Sequence, residues 1–176
     1  MKCRNSPRKL PGNKVAAIGK ALGITVVFAD RKGVKGDDVR QGRVEFFTAL
    51  KQSTIVMVTC VLNESTRNMI GEEELQLVQK DAILVNIARG GIVNEEALAK
   101  ALKEKWITGA AVDVFDEEPA GFDTPLVAAA RENPGLNLTL SPHVAWYAST
   151  SLERLQQIVP ANIETFVAGK PQNVVI

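Results

Sequence analysis

The stretch AILVNIARGGIVNEEALAKALKEKWITGAAVDV, residues 82–114, decides how the chain is built. It opens on a compact apolar run, 82–87, and closes on another, 109–114. Neither run alternates apolar with polar residues, as a strand with one wet face would. Between them Asn94 is a suitable N-cap for a helix over 94–104. A strand, a helix and a second strand in this order form the repeating unit of a parallel α/β sheet.

The same alternation extends outward. Residues 24–29 (ITVVFA), 54–60 (TIVMVTC) and 136–141 (LNLTLS) are further strand candidates, the first expected to be buried. Helices are expected over 13–22, 44–51 and 72–79, the last opened by Glu72, Glu73 and Glu74, which complement the positive end of the helix. Residues 149–168 carry Leu152, Leu155, Ile158, Val159, Ile163, Phe166 and Val167 at mostly helical spacing, and Pro160 is expected to start a new turn or kink the helix. The expected fold is a doubly wound α/β domain whose parallel sheet is covered on both faces.

Bulk properties narrow the function. The chain has 176 residues, 45% of them hydrophobic, and a formal net charge of +1, which suits one domain with a sizeable core. Lys and Arg are scattered, so no nucleic-acid partner is expected. No apolar run is long enough to span a bilayer, and MKCRNSPRKL has no apolar core of the kind a secretory signal needs. Cys3 and Cys60 have no metal-ligand spacing, and one histidine is too few for most zinc sites. No metal is expected, and the reading is a cytoplasmic, reduced protein.

Ligands of doubly wound sheets bind beyond the carboxyl ends of the strands. Asp30 follows the first candidate strand, Asn86 and Arg89 the third, Asp113 the fourth with Glu117 and Glu118 after it, and His143 the fifth. Taken singly, each has an ordinary reading: a turn starter, a surface cation, a solvated acidic pair, a loop histidine. Together they bring a cation, a carboxylate and an imidazole to one edge of one sheet. That set suits reduction of a 2-oxo acid. Arg89 can hold the carboxylate and polarise the keto oxygen, His143 can protonate the developing alkoxide, and Glu118 can orient the imidazole.

Three segments, VNIARGGIVNEEALAKAL, GAAVDVFDEEP and LSPHVAW, resemble signature segments of the D-isomer-specific 2-hydroxyacid dehydrogenases, nearest to the glycerate dehydrogenase and hydroxypyruvate or glyoxylate reductase branch. Arg89 lies 29 positions before Glu118, and Glu118 lies 25 before His143, a spacing that also fits. The resemblance runs from about Gly12 to Ile176 and implies a Rossmann-like domain over 12–148, followed by a closing helix and tail over 149–176. It implies NAD or NADP as cofactor, a small 2-oxo acid as substrate and a homodimer. It makes Arg89 the substrate-binding residue, His143 the acid-base group and Glu118 its support. It also puts Ala88 beside the nicotinamide, Asp113 on its carboxamide and Asp30 on the adenosine ribose, with Arg31 the alternative contact for a 2′-phosphate.

The departures are equally specific. Relatives carry a second, N-terminal substrate domain and a first nucleotide-binding strand, neither of which matches this sequence. Gly12 lies 18 positions before Asp30, near the usual distance of about 20 from glycine loop to ribose acid, so it aligns with the third glycine of G-x-G-x-x-G. The first two then fall on Pro7 and Lys9; a gapped alternative sets Gly12-Asn13 in the middle of the loop. Val61 stands where the family's cPLT segment has proline. Residues 1–11 are expected to be a replaced or disordered arm. A missing central strand would be repaired by those residues, by a second chain or by the sheet closing up. The sequence leaves open a chain without dehydrogenase activity, serving as a binding or regulatory module or as another acid-base catalyst.

Overall fold

The computed structural model describes residues 11–174. Pro7 and Lys9, and all of the expected arm except Pro11, lie outside the described residues. The chain divides into two compact units, one ending at Pro142 and the other beginning at His143.

In the first unit four short strands, β1 (Ile55–Val58), β2 (Ile83–Asn86), β3 (Gly109–Val112) and β4 (Leu138–Leu140), form a parallel sheet in the order β1-β2-β3-β4. Their carboxyl ends are level: Val58 pairs with Asn86, Asn86 with Val112, and Val112 with Leu140. Everything that follows these residues in sequence therefore emerges along one edge of the sheet. Helices α2 (Phe46–Gln52), α3 (Glu72–Leu77), α4 (Glu95–Lys103) and α5 (Pro125–Glu132) pack in succession, each against the next. Right-handed crossovers between strands in consecutive order return on the same side of the sheet, so α3, α4 and α5 share one face.

That face is the dry one. Val58, Leu84, Ala110 and Val112 join Leu75, Ile92, Leu98 and Leu126 in the core. Alternate strand residues point the other way, and there Ile55 and Ile83 are exposed while Met57, Val85 and Ala111 are half-buried. Consecutive strand order thus builds the α3–α4–α5 layer on this one face of the Rossmann-like sheet. Helix α4 begins as read, with Asn94 Oδ1 accepting the Ala97 N–H at 2.8 Å. Helix α5 has no counterpart among the expected elements.

Residues 24–29 depart furthest from expectation. They join no strand; only Ala29 forms an isolated parallel bridge, to Val44. Ile24 and Val27 are exposed. An apolar, β-branched run is a strand only where a neighbour pairs with it, and among the described residues none lies beside this one. Nor do the flanking segments close up: β1 pairs with β2 alone. Helix α1 (Pro11–Ala21) precedes this run and starts on a proline whose missing N–H is no loss at a first helical position.

The second unit is dominated by α6 (Ser149–Val167), one helix that contains Pro160 without ending there. A new turn at Pro160 is therefore not observed. Leu155, Val159, Ile163, Phe166 and Val167 are all exposed along it.

Candidate active site at the carboxyl edge of the sheet

The β2–α4 turn is built around Asn86, buried to 2% exposure at the last position of β2. Its Oδ1 accepts the Ala88 N–H at 3.2 Å, and its Nδ2 donates to the Arg89 carbonyl at 3.1 Å. Both ends of the side-chain amide are used to fold the backbone back on itself, which is why a polar residue is tolerated there. The turn leaves Arg89 exposed, with Nη1 donating to the Ala88 carbonyl at 2.6 Å. Gly90 fits flat against the next loop: a Cβ on it would lie 1.8 Å from the Phe115 carbonyl oxygen and 2.0 Å from its carbon.

The next loop follows β3. Asp113 is buried, its N–H donating to the Asn86 carbonyl at 3.0 Å and its Oδ1 accepting the Ser141 hydroxyl at 2.6 Å. Glu118 Oε1 accepts the Phe115 N–H at 2.9 Å, closing the turn that carries it. Asp116 is held by Arg67 at 3.1 Å, and its N–H donates to Glu95 Oε1 at 2.7 Å. Thus Ala88, Arg89, Asp113 and Glu118 stand on two interlocked loops at the level edge of the sheet. Ser141, Asn86 as an anchor and the Gly90–Phe115 contact were not foreseen as a set. No periodicity links residues 25 to 28 positions apart, so no sequence signal pointed to those pairings.

At the β1 end, Gly12 sits where a Cβ would approach Thr59 Oγ1 to 2.9 Å, so the start of α1 lies close against the residue following β1. A glycine that permits close helix–strand packing is the job of the third glycine in a dinucleotide loop. Val61, two residues on, is 72% exposed.

Asp30 is buried, yet it does not end a paired strand. Arg40 donates to it from Nε at 2.9 Å and 3.1 Å, from Nη2 at 2.5 Å and from its backbone N–H at 2.8 Å; the Arg31 N–H adds a bond at 2.7 Å. The Arg40 side chain holds the Asp30 carboxyl well below the usual carboxylate range, helped by the two backbone N–H groups and opposed by burial. The ion pair in turn raises the Arg40 guanidinium. A group whose folded pKa is depressed stabilises the fold above its unfolded value, near pH 4, and loses that contribution as pH falls through the folded value. Acid titration followed by circular dichroism is therefore expected to show stability declining below about pH 4, and Asp30→Asn to flatten that limb; an unchanged limb would refute the pairing.

His143 belongs to the second unit. It takes a positive φ of 54°, and its carbonyl accepts the Trp146 indole N–H at 2.8 Å. Trp146 meets Tyr147 edge-on at 5.5 Å. A cavity of about 340 Å³ in the first unit lies elsewhere, among Asn68, Asn94, Glu95, Asp116 and Asp123. Glu117 is in its lining but Arg89 and Glu118 are not, and its acidic character is unsuited to an anionic substrate.

A parallel sheet with glycine-tight turns along its carboxyl edge defines a dinucleotide-binding type of α/β domain. Its fit to such a cofactor is good at three points: the Gly12–Thr59 approach, the Asn86-anchored turn bearing Ala88, and buried Asp113. The comparisons agree. The D-isomer specific 2-hydroxyacid dehydrogenase NAD-binding domain profile matches residues 11–145, and the chain belongs to that family. It is 41% identical over 164 residues to a glycerate dehydrogenase of Methylorubrum extorquens, covering 93% of this chain and 49% of that one. It is 39% identical over 168 residues to a glyoxylate reductase of Aeropyrum pernix, covering 93% and 48%. Among solved structures, the NAD-complexed D-isomer specific 2-hydroxyacid dehydrogenase of Lactobacillus delbrueckii ssp. bulgaricus superposes with a TM-score of 0.77 at 30% identity, covering 94% of this chain and 52% of that one. The chain thus spans about half the length of the relatives it matches. No helix among the described residues is long and apolar enough to cross a membrane.

Proposed function

We propose that this chain forms the cofactor-binding half of a cytoplasmic NAD(P)-dependent oxidoreductase that reduces a small 2-oxo acid, of the glyoxylate or hydroxypyruvate class, to the D-2-hydroxy acid. The observation that carries this reading is the seating of Gly90 on the Phe115 carbonyl. It fixes the Arg89 turn against the loop whose closing hydrogen bond is made by Glu118.

Arg89 binds the substrate carboxylate with its planar fork and draws electron density from the keto oxygen. His143, two residues beyond Ser141 in the chain, gives that oxygen its proton as the carbonyl carbon is reduced. Glu118 holds the imidazole in orientation. Gly12, Asp30 or Arg31, Val61, Ala88 and Asp113 hold the cofactor, which supplies a hydride when bound. A homodimer is the expected assembly, and sedimentation at micromolar concentration checks it: a stable monomer would count against it.

A second reading, a nucleotide-binding module without hydride transfer, is favoured by one observation. Among the described residues, β1 presents an unpaired edge where a doubly wound sheet has its central strand. Calorimetry with NADH and NADPH, followed by their oxidation in the presence of glyoxylate and hydroxypyruvate, separates the two. Binding with turnover supports reduction, and binding without turnover supports the module. No binding of either nucleotide at millimolar concentration would sink both.

A further inference from the structure

We propose that Arg40 is the residue that sets cofactor choice, and that it sets it for the 2′-phosphorylated nucleotide, NADP(H). This rests on the cofactor-binding reading above and deepens it.

A carboxylate at this position serves NAD by accepting hydrogen bonds from the ribose hydroxyls. A carboxylate offers about four lone-pair directions. Here they are taken by the chain itself. Oδ1 accepts the Arg31 N–H together with Nε and Nη2 of Arg40, while Oδ2 accepts the Arg40 N–H and shares its Nε. With its side chain only 1% exposed, Asp30 has no open flank on which a ribose could seat. A diol would have to dislodge a charge-assisted, forked pair, the stronger kind of hydrogen bond.

The same pairing leaves a cation on the outside. The Arg40 side chain is 51% exposed, and it lies at the mouth of a segment whose base is tied by Asp30 N–H to the Val44 carbonyl and Arg43 Nη1 to the Ala29 carbonyl. Arg31, adjacent to Asp30, is exposed and makes no ion pair among the described residues. Lys32 is already committed, to Glu74 at 2.8 Å. Asp37 and Asp38 share the segment but form no ion pair with Arg31 or Arg40 among the described residues. Arg40 is thus forked to the Asp30 carboxylate and neutralises it, and a second arginine, Arg31, is the next residue in the chain. A dianionic phosphate meets attraction there; an uncharged diol meets an acceptor already filled.

The test uses nucleotide halves, so that it reads the adenosine end alone. Titration calorimetry with 2′,5′-ADP and with 5′-AMP is expected to show 2′,5′-ADP binding about 10- to 100-fold more tightly, with NADPH favoured over NADH in the same direction. Arg40→Ala is expected to reduce or reverse that preference by weakening 2′,5′-ADP and strengthening 5′-AMP. Should that variant fail to fold, Arg40→Lys, which keeps a cation beside Asp30 but not the planar fork, is expected to narrow the preference for 2′,5′-ADP about tenfold. Equal or tighter binding of 5′-AMP by the wild-type protein would overturn the assignment while leaving the cofactor-binding reading intact. No binding of either half, or of either dinucleotide, would overturn both.

Discussion

Gly90→Ala is expected to destabilise the first unit by about 3 kcal/mol or more, lowering Tm by about 6–12 °C. The methyl carbon would sit 1.8 Å from the Phe115 carbonyl oxygen and 2.5 Å from the Asp116 nitrogen. Both are backbone atoms, so no side-chain rotation relieves the overlap, and one of the two loops has to move. Moving the β2–α4 turn strains both hydrogen bonds of the buried Asn86 side chain. Moving the other loop breaks the Phe115–Glu118 bond and pulls on Asp113. A matched control is Gly135→Ala, where a Cβ meets nothing within 4 Å; a small stabilisation or no change is expected there. Thermal unfolding of the two variants beside the wild type decides the matter. A Gly90→Ala protein that melts within a degree of the wild type would mean that the two loops are not interlocked.

That interlock is also where the sequence stops being readable. The β2–α4–β3 unit was legible because its signals are local: two apolar runs, an N-cap and a helix between them. Helix α5 was also signposted, by Thr124 before Pro125 and an apolar run after it, but it directly follows an acidic, proline-containing loop that masks its start. The run at 24–29 has the same local signal as β2, yet it failed as a strand because pairing is a property of its neighbour. Among the site residues, Arg89, Asp113 and Glu118 could be located by their positions after strands. What holds them could not. Asp30 and Arg40 meet across a ten-residue segment, Gly90 and Phe115 across 25 positions, and Asp113 and Ser141 across 28. Contacts of that kind follow from the level register of the four strand ends, which no stretch of sequence states. The Asp30 case bears most on function, because the partner of its carboxylate, Arg40, lies in a segment with no repeating pattern to announce it.

His143→Gln is expected to lower kcat for glyoxylate reduction by about 10²- to 10⁴-fold, the usual worth of a positioned proton donor, with nucleotide affinity within about twofold of the wild type. Glutamine keeps a hydrogen-bonding group of similar reach but has no proton to give at neutral pH. Arg89→Lys is expected to fail differently. Lysine keeps the charge but not the planar fork, so it can hold a carboxylate or polarise a carbonyl but does both poorly. A raised KM together with a lowered kcat follows, because the carboxylate contact exists in the ground state while the contact to the keto oxygen strengthens only as negative charge develops on it. The local backbone offers a control on both. Arg89 is exposed and among the described residues its side chain braces only the Ala88 carbonyl, so Arg89→Lys should melt with the wild type, whereas Asn86→Ala, which removes the anchor of the same turn, should lower both Tm and turnover. Parallel thermal and steady-state measurements on these variants separate chemistry from scaffolding. If His143→Gln retained wild-type kcat while Arg89→Lys lost activity, the proton would have to come from another group, and the division of labour among Arg89, Glu118 and His143 would be wrong. If Arg89→Lys raised neither KM nor the barrier, the substrate carboxylate would have to be held elsewhere than at this edge of the sheet.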